Sequence, residues 1–285
     1  MVEEREKRGD GKGEGLVRLN RYLAMCGVAS RRHADELIRE GQVTVDGEPV
    51  RSLGTKVDPG RSRVAVAGRD VTAGRRRYFL FNKPKGVVCT NSPREQKTRA
   101  IDFFPRRPGL RLFCVGRLDE DSEGLILVTN DGDFANLVAH PSHGVEKTYS
   151  VQIRGQLGRQ DLDKIRQGTW LAEGRTAGAR VVVRRSSRQQ TSLLVTLREG
   201  RNREIRRIFA RLERPVRRLK RVRIGNLNVH KLKPGAFRPL TREEIEELRR
   251  TAAAGGRGTG KGEPWRRSKG KGRTGGGRGP SGRRG

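Results

Sequence analysis

Residues 116–133 constrain the fold more than any other stretch. Gly116-Arg117-Leu118-Asp119-Glu120-Asp121-Ser122-Glu123-Gly124 leads into Leu125-Ile126-Leu127-Val128, and Asn130-Asp131-Gly132 follows. Four consecutive apolar residues between two glycine-containing turns read as a buried strand, which other elements must cover. Asp119 then sits in a loop at the mouth of that strand, where a rigid scaffold can hold a catalytic side chain. From Gly116 to Asp133 there are six acidic residues and one basic one, in a chain with 64 Lys and Arg against 32 Asp and Glu and a formal charge of +32. So acidic an island in so basic a chain calls for a function.

The charge narrows the partners. A sequence pI of about 11.5 suits a polyanion, because each phosphate neutralised by Lys or Arg releases condensed counterions; roughly six to ten such contacts change affinity by about a thousandfold or more over a modest change in salt. Nucleic acid is the expected partner. An anionic membrane is the runner-up, disfavoured because no segment joins a basic face to a free aromatic or leucine stripe. No apolar run is long enough to span a bilayer, and residues 1–15 carry acids, bases and glycines where a signal peptide has an apolar core, so the cytoplasm and no membrane association are expected. Cys26, Cys89 and Cys114 lack metal-ligand spacing and are expected to be reduced thiols. With 34% charged and 32% hydrophobic residues, part of the chain should stay unfolded.

Residues 1–15 show no apolar period and are expected to be disordered. Leu19, Tyr22, Leu23 and Cys26 then recur at helical spacing, Gly27 closes that helix, and Ser30 caps a second with core face Ala34, Leu37 and Ile38. Val43-Thr44-Val45, the Asp46-Gly47 turn and Glu48-Pro49-Val50 predict a hairpin, with Val57, Val64 and Val66 in further short strands. The helices carry Arg18, Arg21, Arg31, Arg32 and Arg39 on their polar faces, which by themselves fit a solvated face as well as an RNA-binding one. Residues 68–77 read as a linker, so a first domain spans 16–74.

Beyond it, Tyr78–Phe81 reads as a strand followed by a turn holding Lys83 and Lys85, which serve as phosphate contacts or merely as a solvated turn. The turn lacks the P-loop pattern. His140 and His143 tempt a metal reading, but Pro141 breaks any helix there and no Cys ligand is near, so no metal is expected. Val145–Ile153, Ala179–Arg184, Ser192–Leu197 and Val216–Val229 read as strands and Asp161–Gln167 as a helix. Gly200–Leu212 predicts a helix with apolar face Ile205, Ile208, Phe209 and Leu212. Arg203, Arg206 and Arg207 lie near its start, where cations oppose the macrodipole; a cost without visible benefit hints at a site. Thr241-Arg242-Glu243-Glu244 is a capping box opening a last helix to Arg250. The second domain therefore spans 75–250, and the Gly/Arg/Lys-rich tail 251–285 is expected to be disordered.

Three chemistries suit the acidic island. Asp119-x-Asp121-x-Glu123-Gly124 imitates the start of a calcium loop, but Asn130 stands where the bidentate Glu belongs. Asp119 and Asp121 are a conceivable acid/base pair, though neighbouring acids in a turn are usually solvated. Alternatively, Asp119 acts as nucleophile or electrostatic anchor, its charge held by an arginine from the 200–212 helix. The residues alone permit this third reading without selecting it.

Two resemblances bear on the choice. Residues 18–50, "RLNRYLAMCGVASRRHADELIREGQVTVDGEPV", resemble the RNA-binding module named after ribosomal protein S-four, whose basic helix faces grip structured RNA. "VGRLDEDSEGLILVTNDG" resembles the aspartate signature of pseudouridine synthases, in the branch of the ribosomal small-subunit pseudouridine synthase A family. "HPSHGVEKTY", "EGRNREIRRIF", "RLKRVRIGNL" and "LKPGAFRPL" follow in that family's order. The match covers roughly residues 16–250.

The resemblance implies an α+β fold: a small helix–helix–sheet RNA-binding domain, then a mixed, largely antiparallel sheet with flanking helices. It implies isomerisation of uridine in ribosomal RNA or a ribosomal precursor particle by a monomer, with no cofactor or metal. Asp119 matches the essential aspartate, which attacks the sugar or acts on its proton. Tyr149 matches the aromatic that packs on the flipped uracil and helps remove the proton from carbon 5, and Arg206 matches the basic residue that pairs with the aspartate. Arg117 is placed at the cleft edge, and Arg201, Arg203 and Arg207 join Lys83, Lys85 and the arginines of the first domain as RNA contacts. Read singly, Tyr149 is a strand residue and Arg206 a solvated helix residue. Ser122 stands where Thr is frequent and Glu204 where Gln is, so Glu204 is a possible competitor for an arginine. The Glu-Gly-Arg-Asn-Arg-Glu stretch and basic tail favour large-subunit RNA. The rival expectation is a non-catalytic RNA-binding ribosome-assembly factor.

Overall fold

The computed structural model describes residues 15–92 and 94–256. The N-terminal segment expected to be disordered, up to residue 14, and the tail from residue 257 lie outside them. Among the described residues no helix is long and apolar enough to cross a membrane.

The first unit runs β1 (Val17–Arg18), α1 (Leu19–Met25), α2 (Arg31–Arg39), β2 (Val43–Val45), β3 (Glu48–Pro49), β4 (Lys56–Val57), β5 (Val64–Val66) and β6 (Arg69–Asp70). The Ser30 hydroxyl accepts the His33 N–H and starts α2, one of the orphan donors of a helix N-terminus. Asp46 and Gly47 both take positive φ, 53° and 93°, which matches the twist of the flanking hairpin strands. Leu19, Leu23, Ala34, Ile38 and Val43 are fully buried and form this unit's own core; Leu37 is half-buried. The residues expected as a linker begin later than the sequence suggests, because Arg69–Asp70 pairs with Ala65 and Val66.

The second unit contains β7 (Tyr78–Lys83), β8 (Phe113–Val115), β9 (Glu123–Thr129), α3 (Gly132–Ala139), β10 (Lys147–Arg154), α4 (Arg159–Gln167), β11 (Trp170–Leu171), β12 (Gly174–Arg175), β13 (Arg180–Ser186), β14 (Gln190–Leu197), α5 (Glu204–Arg211), β15 (Val216–Ile224), β16 (Leu227–Asn228), β17 (Phe237–Pro239) and α6 (Arg242–Gly256). Nine strands form one sheet in the order β13-β14-β10-β15-β9-β7-β17, with β8 on β9 and β16 on β15. The sheet is mixed: β9 and β15 pair in parallel, and the other ladders among the described residues are antiparallel. The last helix passes Arg250 and runs to Gly256, while Thr241 and Glu244 exchange the two hydrogen bonds of a capping box.

Burial follows the strand period of two. Leu125 and Leu127 face a core with Phe134 of α3 and Leu248 of α6, and Ile126 and Val128 face Phe81 and Phe104. Covered on both faces, the four-residue run is at most 1% exposed. A second large core packs α4 and α5 on β10, β13, β14 and β15 through Val151, Ile165, Val195, Ile208 and Phe209. The two halves meet where β9 joins β15. There Gly124 has φ +107°, and a Cβ on it would lie 2.2 Å from the Arg221 carbonyl oxygen. Only glycine lets the acidic loop enter the sheet at this seam.

Candidate active site

The loop before β9 is folded by its own backbone: the Ser122 N–H donates to the Asp119 carbonyl, and the Glu120 carbonyl accepts from Gly86 N–H at 2.9 Å. The acids of the island then divide their tasks. Glu120 pairs with Lys97 at 2.6 Å, and Glu123 pairs with Arg218 of β15. Asp121 is met by Arg206 at 3.1 Å and Arg203 at 3.4 Å; burial pushes its pKa up, but these two guanidiniums outweigh that and hold it below the usual carboxylate range. Among the described residues Asp119 makes one loose ion contact, 3.5 Å to Arg203. Its neighbours clamp the loop and Asp119 is left facing the cavity.

The expected pairing of Arg206 with Asp119 is therefore corrected. Arg206 donates to the Asp121 carbonyl at 3.2 Å and the Ser122 hydroxyl at 3.4 Å, and its carboxylate partner is Asp121. Arg203 precedes α5 in a left-handed conformation, φ 46° and ψ 32°, a departure from the helix that carries its side chain toward Asp119. The apparent cost of the arginines at the start of α5 is also offset, since Arg207 bonds Glu173 as the other two bond the island. Glu204 does not compete for them. It is 3% exposed and accepts the Arg201 N–H, and burial together with Glu199 pushes its pKa up.

Asp119 and Tyr149 line the same cavity of about 380 Å³, with Arg117, Lys147, Arg203 and Arg221. That volume lies in the range of small-molecule sites, about 300–1,000 Å³. Tyr149 alternates inward with Val151 and Ile153 on β10, and the register against β15 shifts between Thr148 and Tyr149, a bulge of the kind that re-aims a side chain. The Arg221 guanidinium stands 6.0 Å from the Tyr149 ring centroid, at the limit of a cation–π contact.

Lys147 and Arg221 are buried cations bonded to main-chain carbonyls: Lys147 Nζ to Val138 at 2.9 Å and Arg221 Nε to Leu125 at 2.6 Å. A terminal nitrogen of Arg221, Nη2, has no partner among the described residues. Neither residue was singled out from the sequence, yet a signal existed. Each is a cation in an alternating strand at the parity of the apolar residues, Lys147 with Tyr149 and Arg221 with Leu219.

Lys83 lies elsewhere than expected. It is fully buried and donates to the carbonyls of Pro84 at 3.0 Å and Val87 at 2.7 Å; it ends β7, which is buried at this end, and burial lowers its pKa. It cannot reach RNA. Lys85 is exposed and lines a crevice with Glu120, Asp121 and Arg203, while Arg117 is exposed at the main cavity. Arg201 is committed to Glu199 and to the carbonyls of Gly174 and Arg175, and Arg207 to Glu173 and the Asn202 carbonyl. In the first unit Arg18, Arg31, Arg32 and Arg39 are exposed, and Arg21 pairs with Asp133 of the second unit. His140 accepts the Ser142 N–H and caps a short turn.

The cavity lysine makes stability depend on pH. Burial, with Arg221 adding, lowers the Lys147 pKa to about 8 from 10.5. Below pH 8 the folded chain carries a buried ammonium and pays for it; between the two values the unfolded state holds the extra proton, so stability rises with pH. Relative to Lys147→Met, the wild-type unfolding free energy should rise by about 3 kcal/mol from pH 8 to pH 10.5, measured by denaturant titration. Parallel curves would show that Lys147 is not buried as a charge.

Comparison with known proteins adds to this geometry. The family described as RNA pseudouridylate synthase matches residues 77–211, and the S4 domain matches residues 17–61. Ribosomal large subunit pseudouridine synthase B of Bacillus subtilis is 40% identical over 84% of this chain and 98% of its own length. An uncharacterized RNA pseudouridine synthase of Mycobacterium leprae is 41% identical over 87% of this chain and 98% of its own. A crystal structure of a pseudouridylate synthase, 30% identical, covers 81% of this chain and 99% of that one with a TM-score of 0.59.

Proposed function

Because the chain belongs to the RNA pseudouridylate synthase family, we propose that it isomerises uridine to pseudouridine in ribosomal RNA, that of the large subunit, with Asp119 as the catalytic residue. The observation that carries this reading is the constellation itself: one loosely paired carboxylate, Asp119, in a cavity shared with Tyr149 and edged by Arg117 and Arg203. The large-subunit assignment rests on the name of the Bacillus subtilis relative and agrees with the large-subunit preference read from the Glu-Gly-Arg-Asn-Arg-Glu stretch and the basic tail.

The uridine leaves its stack to reach the cavity, at a cost of a few kcal/mol that favours loops and bulges over intact helix. Tyr149 packs on the base. Asp119 attacks the sugar or takes a proton from it; the carbon–nitrogen bond breaks with its electron pair on the base, and the base reattaches through carbon 5, losing that carbon's proton and gaining one at the freed nitrogen. Lys147 and Arg221, buried cations with no carboxylate bonded to them among the described residues, favour the negative charge the detached base carries. Arg18, Arg31, Arg32 and Arg39 of the 16–74 domain hold the RNA backbone while the 75–250 domain works, in the cytoplasm and as a monomer.

Pseudouridine maps of ribosomal RNA from cells with and without the gene test the assignment. The expected result is the loss of one or more large-subunit sites. Loss confined to the small subunit would overturn the subunit assignment, and an unchanged map would leave an RNA-binding assembly factor as the reading.

A further inference from the structure

The far end of the sheet carries a second basic site. A crevice of about 900 Å³ lies at the end of β10, β14 and β15 opposite the cavity, where Arg154, Arg188, Arg214 and Arg217 face a single acid, Glu213. Arg154, Arg188 and Arg217 are exposed and take part in no ion pair among the described residues. Around the active-site loop, by contrast, arginines are neutralised in pairs, on the acidic island and at Glu173. Four arginines held together with so little counter-charge repel one another, and a polyanion relieves that cost.

The crevice is built rather than incidental. Arg154 N–H donates to the Pro215 carbonyl at 3.3 Å, and Gly155 N–H donates to the Gln189 carbonyl at 2.8 Å. These bonds lock the β13–β14 hairpin, which carries Arg188, and the segment entering β15, which carries Arg217, to the end of β10. Arg214 donates through Nε to the Gln156 carbonyl at 2.8 Å, which fixes its guanidinium at the crevice wall. On β15 the neighbours divide: Arg218 turns to Glu123 beside the active-site loop, and Arg217 lines the crevice.

We propose that this crevice is a second docking site for the backbone phosphates of the substrate RNA, taking the segment that flanks the extruded uridine. The proposal rests on the enzyme reading above for the identity of the RNA. Charge favours RNA over an acidic protein segment, because an RNA backbone presents a phosphate at every nucleotide to a row of arginines, and the crevice lies on the same strands, β10, β14 and β15, that line the active-site cavity. Arg154 in the crevice stands five positions along β10 from Tyr149 in the cavity, about 17 Å of strand, a span well inside about ten base pairs of duplex.

The test uses the full chain and two hairpins bearing the same target uridine, one with a short stem and one with a stem longer by about ten base pairs, enough to pass the crevice. For Arg188→Glu/Arg217→Glu, the Kd for the long hairpin should rise at least about tenfold and its log Kd against log salt slope should become shallower by about two. The Kd for the short hairpin, the melting temperature and the single-turnover rate at saturating enzyme should match wild type. Arg188→Gln/Arg217→Gln should give a smaller change in the same direction. Unchanged binding of the long hairpin would overturn the proposal, whether the crevice is solvated or accepts an acidic protein. An equal loss on both hairpins would place the arginines' effect in the cavity and overturn it too. Failure of the enzyme reading is separate: the wild-type chain would bind both hairpins and form pseudouridine in neither.

Discussion

Asp119→Asn is expected to lower the single-turnover rate of pseudouridine formation by at least about 10⁴-fold, a loss of the size seen when an essential member of a catalytic group is removed. The substitution keeps the shape and removes the charge. Asp119 closes no other element: the loop is held by Glu120 on Lys97, Asp121 on Arg206 and Glu123 on Arg218, so the fold should persist. Affinity for substrate RNA should stay within a few-fold of wild type or tighten, because Arg203 loses one of its two carboxylate contacts among the described residues, that to Asp119 at 3.5 Å, and keeps only Asp121 at 3.4 Å. Rate and affinity measured on one preparation separate chemistry from binding. A variant that turns over at the wild-type rate would remove Asp119 from the mechanism.

The second large effect is structural. Gly124→Ala should destabilise the chain by about 3–5 kcal/mol, since a left-handed backbone costs roughly 1–3 kcal/mol outside glycine and overpacking adds about as much again. The inserted Cβ would stand 2.2 Å from the Arg221 carbonyl and 2.7 Å from its nitrogen, both backbone atoms of the adjacent strand with no side chain to swing away. At about 2–4 °C per kcal/mol for a chain of this size, the melting temperature should fall by about 10 °C or more. Gly132→Ala is the control. Its Cβ meets nothing within 4 Å and its φ is ordinary, and at the start of α3 alanine is the better helix former, so no loss is expected. Equal melting temperatures for the two variants would contradict the seam described between β9 and β15.

Much of this was legible in the sequence, for identifiable reasons. Hydrophobic period and turn chemistry are local, so α1, α2, the Asp46-Gly47 hairpin, β9 and the capping box of α6 could be read from neighbours alone. Local pattern places Asp119 at the mouth of a strand, but its role and the choice of Tyr149 come from the resemblance to the pseudouridine synthase signature; the cavity brings the two together. What was not legible depends on contacts between distant segments. Which arginine meets Asp119 is decided by the backbone turn at Arg203, a left-handed residue that no helical periodicity reveals. Lys83 looks like a turn lysine beside Pro84, but it completes a strand that is buried at this end, and its ammonium turns to the Pro84 and Val87 carbonyls. The extra strand at Arg69–Asp70 needs its partner in Val64–Val66 before it exists. Lys147 and Arg221 pass unnoticed in a chain with 64 basic residues, where charge stops being informative and strand parity alone sets two cations apart.

The central claim is that this chain makes pseudouridine in ribosomal RNA with Asp119. Cells lacking the gene, complemented with wild-type or Asp119→Ala protein at equal levels, provide the direct measurement: the fraction of pseudouridine at each ribosomal position lost on deletion. Wild type should restore those positions fully and Asp119→Ala should leave them as uridine, while both proteins are retained on ribosomal RNA. Restoration by Asp119→Ala would contradict the claim.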